Sequence, residues 1–108
     1  MKVILVSYSG TSASILKDRM SAWAHANLIE SEILISPLSG LDEGTEDADI
    51  VLVGPQVRCA LASVRERVPG HIPVLAVDTR DFGMAKGDRV MQEAIAEIRR
   101  YKEQLKIQ

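Results

Sequence analysis

Residues 2–14, KVILVSYSGTSAS, decide the fold. Val3 to Val6 form an unbroken apolar run with no polar alternation, which is what a strand buried on both faces of a parallel sheet requires. Ser7, Tyr8, Ser9, Gly10, Thr11, Ser12, Ala13 and Ser14 follow, and they crowd small side chains and hydroxyls where a helix must begin. The free N–H groups and the positive end of that helix face one spot, which suits a phosphate. Gly10 lets the backbone approach such an anion closely, while Thr11, Ser12 and Ser14 offer hydroxyls as donors or as ordinary helix caps.

Outward from this unit, three further runs read as strands, residues 32–35, 49–53 and 73–77, beside residues 3–6. Helices must cover both faces of such a sheet. Leu16, Met20 and Trp23 fall on one helical stripe between the first two strands, and Val57, Leu61 and Val64 repeat the spacing after the third. Residues 86–108 form the longest helix, with Val90, Met91, Ala94, Ile95, Ile98, Tyr101 and Leu105 on one face. Residues 36–48, with Pro37, Gly40 and Gly44, form a loop or short irregular helix. Strands alternating with helices through right-handed crossovers give an α/β fold. The expectation is a small doubly wound three-layer sandwich, with a four-stranded parallel sheet in the flavodoxin-like order 2-1-3-4.

Composition removes several classes of function. A chain of 108 residues is one domain, long enough to bury roughly 60 to 70 % of its unfolded surface. Aromatic residues make up only 4 %, which disfavours stacking sites for flavins, bases or sugars. Thirteen basic against fifteen acidic side chains leave a net charge of −2, so nucleic acid is not expected as a partner. No apolar stretch reaches the roughly 20 residues that span a bilayer, and no signal-peptide pattern leads the chain. A cytoplasmic protein with no direct membrane insertion is expected. The lone cysteine, Cys59, has no internal disulfide partner and reads as a small buried packing residue.

Ligands of such sheets bind outside the carboxyl ends of the strands, at the switch in strand order. Three loops lie there: residues 7–14, 54–58 and 78–84. The segments ILVSYSGTSASIL, DADIVLVGPQVR and IPVLAVDTRDFGMAKGD, in this order and spacing, resemble the IIB phosphocarrier subunits of the lactose/cellobiose (chitobiose) family of the bacterial phosphoenolpyruvate-dependent sugar phosphotransferase system. The resemblance covers nearly the whole chain. It implies a transferase component that accepts a phosphoryl group from a phosphohistidine on a IIA partner and passes it to a cellobiose-, lactose- or chitobiose-like sugar held by the membrane-embedded IIC transporter. It implies no metal and no cofactor.

The family's acceptor is a cysteine at the end of the first strand, and the matching position here is Ser7. At a helix N-terminus a cysteine pKa falls below its free value of about 8.5, giving a nucleophile without a separate base. A serine hydroxyl needs a base, and neither His25 nor His71 is placed to serve. Two origins for Ser7 follow: a working cysteine replaced by engineering, which is the preferred reading, or a natural IIB-like regulatory or binding protein that carries no phosphate.

The remaining residues of the three loops have paired readings. Tyr8 is either part of the docking face or a lid on the turn. Gln56 and Arg58 are candidates for the site rim, or simply a turn entering a helix. Asp78, Arg80 and Asp81 are expected to pair among themselves, with Asp81 also a candidate rim residue facing a partner. Phe82 is either an exposed anchor for that partner or a cover for the sheet edge. A flavodoxin-like FMN-binding protein is the alternative class, since SGTSAS also resembles its phosphate loop. A tyrosine phosphatase of the C-x5-R type is excluded because the arginine position is Ala13, and a phospho-receiver because the third strand ends in Val53-Gly54 with no aspartate.

Overall fold

The computed structural model describes residues 1–8, 10–41 and 45–107. Strand β1 (Lys2–Val6) feeds helix α1 (Gly10–Ala26), then β2 (Glu32–Ser36), a 3-10 turn (Leu38–Gly40) and β3 (Ile50–Val53). A 3-10 segment (Pro55–Ala60) runs into α2 (Leu61–Arg67), followed by β4 (Val74–Ala76), α3 (Thr79–Gly83) and α4 (Gly87–Ile107). The four strands are parallel in the order β2-β1-β3-β4, so the expected topology stands. Val3 pairs with Ile33 on one side and Ile50 on the other, and Val6 pairs with Ser36 and Val53.

The strand period of two sorts the central residues between two cores. Val3, Leu5, Ile50 and Leu52 face α1 and α4, where Ala13, Leu16, Met20, Ala24, Val90, Met91, Ala94 and Ile98 complete one cluster. Ile4, Val6, Val51 and Val53 face the other way, onto Leu41, Val57, Val64, Val68 and Ile72. Every residue of β3 is fully buried. Hence β1 and β3 read as continuous apolar runs, while edge strand β2 keeps Leu34 exposed.

Four expectations need correction. Residues 78–84 are not all loop, because the Asp78 carboxylate accepts from the amides of Arg80 at 2.9 Å and Asp81 at 3.1 Å and so caps the short helix α3. The stripe of Val57, Leu61 and Val64 spans a kink at Val57, where φ is −114° and ψ 16°; Val57 and Val64 are buried, and Leu61 only partly. Proline at the first position and a 3-10 course set that bend. Cys59 is exposed on the 3-10 segment rather than packed inside. In α4 the buried face ends at Ile98; Tyr101 donates from its hydroxyl to the Gly70 carbonyl, and Leu105 lies beyond the core.

Candidate functional site

Ser7 is the first residue past β1, and it is only 4 % exposed. The sheet ladder continues one step beyond the strand to hold it. The Ser7 amide donates to the Ser36 carbonyl at 3.1 Å, and the carbonyl of Val6 accepts from the Gly54 amide at 2.9 Å. The Val6–Ser7 peptide is therefore tied on one side to the end of β2 and on the other to the turn after β3. The loops after β1 and β3 meet at this point, as the strand order requires.

Helix α1 starts at Gly10, only three residues later. The turn proper is thus shorter than the sequence suggests, and Thr11, Ser12, Ala13 and Ser14 already belong to the first turns of the helix. Thr11, Ser12 and Ser14 are exposed, with hydroxyls available to a ligand or partner, whereas the Ala13 side chain is fully buried against β1 and β3. Its methyl offers nothing to an anion. Ser9 lies outside the described residues. Tyr8 is 65 % exposed, next in the chain to the buried Ser7. A large, rigid, amphipathic side chain at such a place suits a docking surface.

On the neighbouring loop Gly54 lies in extended backbone, φ −67° and ψ 158°, that any residue can adopt. Its lack of a side chain serves space instead. A Cβ there would stand 3.2 Å from the Val6 carbonyl oxygen, 3.1 Å from Gln56 Oε1 and 3.4 Å from Cε2 of Phe82. The exposed Gln56 thus folds its side-chain oxygen back beside Gly54, while Arg58 is exposed on the 3-10 segment.

Phe82 loses one of its two readings, and Asp81 takes a different partner. Phe82 is 4 % exposed and packs in the core with Ala13 and Leu16, so it is no exposed anchor. Asp81 does not pair with Arg80. Its buried carboxylate accepts from Arg89 Nε of α4 at 3.1 Å, and the pair borders a cavity of about 590 Å³ lined also by Asp78, Arg80, Lys86 and Glu93. Sequence spacing within residues 78–84 gave no sign of a partner on the following helix.

Both histidines lie at the far end of the sheet from Ser7. His25, on the last turn of α1, borders a cleft of about 1010 Å³ with Met1, Lys2 and Glu32, where β1 and β2 begin. His71 precedes β4. With a rise of about 3.3 Å per strand residue, five residues of β1 put the start of the sheet roughly 16 Å from Ser7. Neither imidazole reaches residue 7 to act on it as a general base. The large cleft lies at the strands' amino ends, away from the end where this architecture places its chemistry. Its ion pair, Lys2 Nζ to Asp47 Oδ1 at 2.7 Å, raises the Lys2 pKa and lowers that of Asp47 through their hydrogen bond. No group of three or more His, Cys, Asp or Glu that could hold a metal ion is found among the described residues.

Residues 2–93 match the family model described as "PTS system, Lactose/Cellobiose specific IIB subunit". The chain belongs to this IIB family. IIB components of this kind are phosphotransferase components of sugar transport. The oligo-beta-mannoside-specific EIIB component of Bacillus subtilis is 29 % identical over 96 residues, covering 88 % of this chain and 93 % of that protein. The galactose-specific EIIB component of Lactococcus lactis is 28 % identical over 98 residues, covering 85 % and 91 %. Among solved structures, the cellobiose-specific IIB component from Borrelia burgdorferi superposes with a TM-score of 0.78 at 30 % identity, over 94 % of both chains. The lactose-specific IIB domain from Streptococcus pneumoniae, at 14 % identity and a TM-score of 0.73, shares the fold over 90 % of this chain and 96 % of its own. Membership in the IIB family takes the place of the flavin-binding alternative. Among the described residues, no helix of this IIB protein is long and apolar enough to cross a membrane.

Proposed function

We propose that this IIB protein is a cytosolic phosphoryl carrier whose acceptor position is residue 7, receiving phosphate from a IIA phosphohistidine and passing it to a cellobiose-, lactose- or chitobiose-like sugar held by a IIC transporter. The observation that carries the reading is the placement of Ser7. It is a buried residue with its peptide tied to both neighbouring strands, three residues before a 17-residue helix whose amino end is positive. In the transfer the side-chain atom at position 7 attacks phosphorus in line, the new bond to phosphorus forms as the N–P bond breaks, and the electron pair stays on the departing imidazole. The backbone amides opening α1 hold the equatorial oxygens during and after transfer. The side chains of Thr11, Ser12 and Ser14 supply further donors, and Tyr8 with Gln56 borders the docking face.

A thiolate at this position needs no base, whereas the Ser7 hydroxyl does, and His25 and His71 stand at the wrong end of the sheet. We therefore read the Ser7 form as silent in transfer, with Ser7 in the place of a working cysteine. Engineering of that cysteine is the preferred origin, with a natural, non-carrying regulatory member the other. Reconstitution with phosphoenolpyruvate, the upstream relay proteins, a matched IIA and membrane vesicles bearing the IIC transporter tests the function. The Ser7→Cys form is expected to drive sugar phosphorylation and the Ser7 form to give none. Phosphorylation of sugar by the Ser7 form at the Ser7→Cys rate would overturn this account of the site.

A further inference from the structure

The carrier reading leaves one buried carboxylate unused. Asp81 sits in α3, a five-residue helix between β4 and α4, and its side chain is clamped by Arg89 Nε at 3.1 Å. The same segment is tied down at its start by the Asp78 cap and at its end by the Lys86 amide, which donates to the Asp81 carbonyl at 2.9 Å. Ala85 completes the reversal into α4 with φ at 51°. The residue next to Asp81 is Phe82, whose ring edge comes within 3.4 Å of where a Gly54 side chain would begin, beside the Val6 carbonyl at 3.2 Å. Gly54 in turn donates to that carbonyl. Arg89, Asp81, Phe82 and Gly54 thus form a continuous packed and hydrogen-bonded path from α4 to the peptide that carries residue 7.

We propose that Asp81 is a positioning residue for phosphoryl transfer, holding α3 against α4 so that Phe82 backs Gly54 and fixes the Val6–Ser7 peptide. The inference rests on the carrier reading for its chemistry and on the packed path for its geometry. In-line transfer depends steeply on alignment, and displacement by about 1 Å can cost on the order of a hundredfold in rate. An ion pair exposed on both sides would have little hold on a loop. Here the Arg89 side chain is half exposed but the Asp81 carboxylate is buried, so loss of Arg89 leaves a buried carboxylate without this donor and favours movement of α3 toward solvent. Phe82 moves with it, and Gly54 loses its backing.

The test uses the full chain carrying Ser7→Cys and Cys59→Ala, so that the only thiol is at position 7. Two quantities are read: the pH dependence of alkylation by iodoacetamide, and the rate of phosphoryl acceptance as a function of phospho-IIA concentration. With Arg89→Ala added, the alkylation midpoint is expected to rise by at least about half a pH unit, because the thiol drifts from the helix end that lowers its pKa. The limiting rate should fall about tenfold, with the half-saturating phospho-IIA concentration within twofold. Arg89→Lys should recover most of both. Phe82→Leu, which keeps an apolar side chain in the core, should reproduce the Arg89→Ala shift and carries the test if Arg89→Ala is not folded by circular dichroism at the assay temperature. An unchanged midpoint and rate in a folded Arg89→Ala or Phe82→Leu form overturns the proposal while the carrier reading stands. If the Ser7→Cys parent accepts no phosphate, the carrier reading fails, and the alkylation midpoint still decides whether Asp81 and Phe82 position residue 7.

Discussion

The Gly54 amide donates to the Val6 carbonyl at 2.9 Å, extending the β1–β3 ladder by one bond beyond the strands and anchoring the peptide that leads into Ser7. At Gly54 the backbone is ordinary and the space is not, so any added side chain presses on the Val6 carbonyl and the Phe82 ring.

Gly54→Ala is therefore expected to cost about 1 to 2 kcal/mol of stability, the scale of mild overpacking. Because the added methyl pushes on the acceptor turn, phosphoryl acceptance by the Ser7→Cys form should fall by a larger factor than stability alone explains. Urea unfolding alongside single-turnover transfer checks this. A stability loss with an unchanged rate would separate the glycine from the site.

Gly87 opens α4 where it crosses α1 at backbone contact. A Cβ there would lie 2.4 Å from both the Arg19 carbonyl carbon and the Met20 amide nitrogen, and neither can swing aside as a side-chain end could. Gly87→Ala should destabilise the fold by about 3 kcal/mol. Chemical denaturation reads the loss, and the change should exceed that of Gly54→Ala.

Cys59 projects from the 3-10 segment. Native protein should react with a thiol reagent such as Ellman's reagent to one equivalent, without denaturant and at nearly the rate of the unfolded chain. Protection until urea is added would contradict the exposed placement.

The Lys2–Asp47 pair gives stability a modest pH dependence. Asp47 has a lowered pKa when folded, so its contribution is present above the unfolded carboxylate value of about 3.9 and is lost as pH falls through the folded value. Lys2 is raised when folded, so its contribution is complete below about 10.4 and is lost as pH rises through the folded value. Asp47→Asn should lower the urea midpoint slightly between about pH 5 and pH 9, with the gap to the parent closing at both extremes. Because the pair is on the surface, salt should shrink the effect.

The sheet order and both long helices were legible because period and burial are local signals: Leu5 and Leu52 lie in runs that only a doubly covered parallel strand explains, and Met20 and Met91 recur at helical spacing. The turn after β1 was legible for the same reason, since small residues and hydroxyls mark a strand passing into a helix. What escaped were relations between distant residues. No pattern within residues 78–84 tells Asp81 to choose Arg89 over Arg80, because that choice depends on how α3 doubles back onto α4. Phe82 gave either reading until its ring was placed against Gly54. Cys59 was misread from the general preference of free cysteines for the interior, which a 3-10 course with its side chain turned outward overrides. The length of the turn after Ser7 was overestimated because a serine- and threonine-rich first helical turn looks like a loop in sequence.

The central claim is that residue 7 is the phosphoryl acceptor position and that serine there silences it. Intact mass spectrometry of the protein and its Ser7→Cys form, after incubation with phosphoenolpyruvate, the upstream relay proteins and a matched IIA shown to be charged, tests it most directly. The account predicts a gain of one phosphoryl group in the Ser7→Cys form alone. No gain in either form, or an equal gain in both, would contradict it.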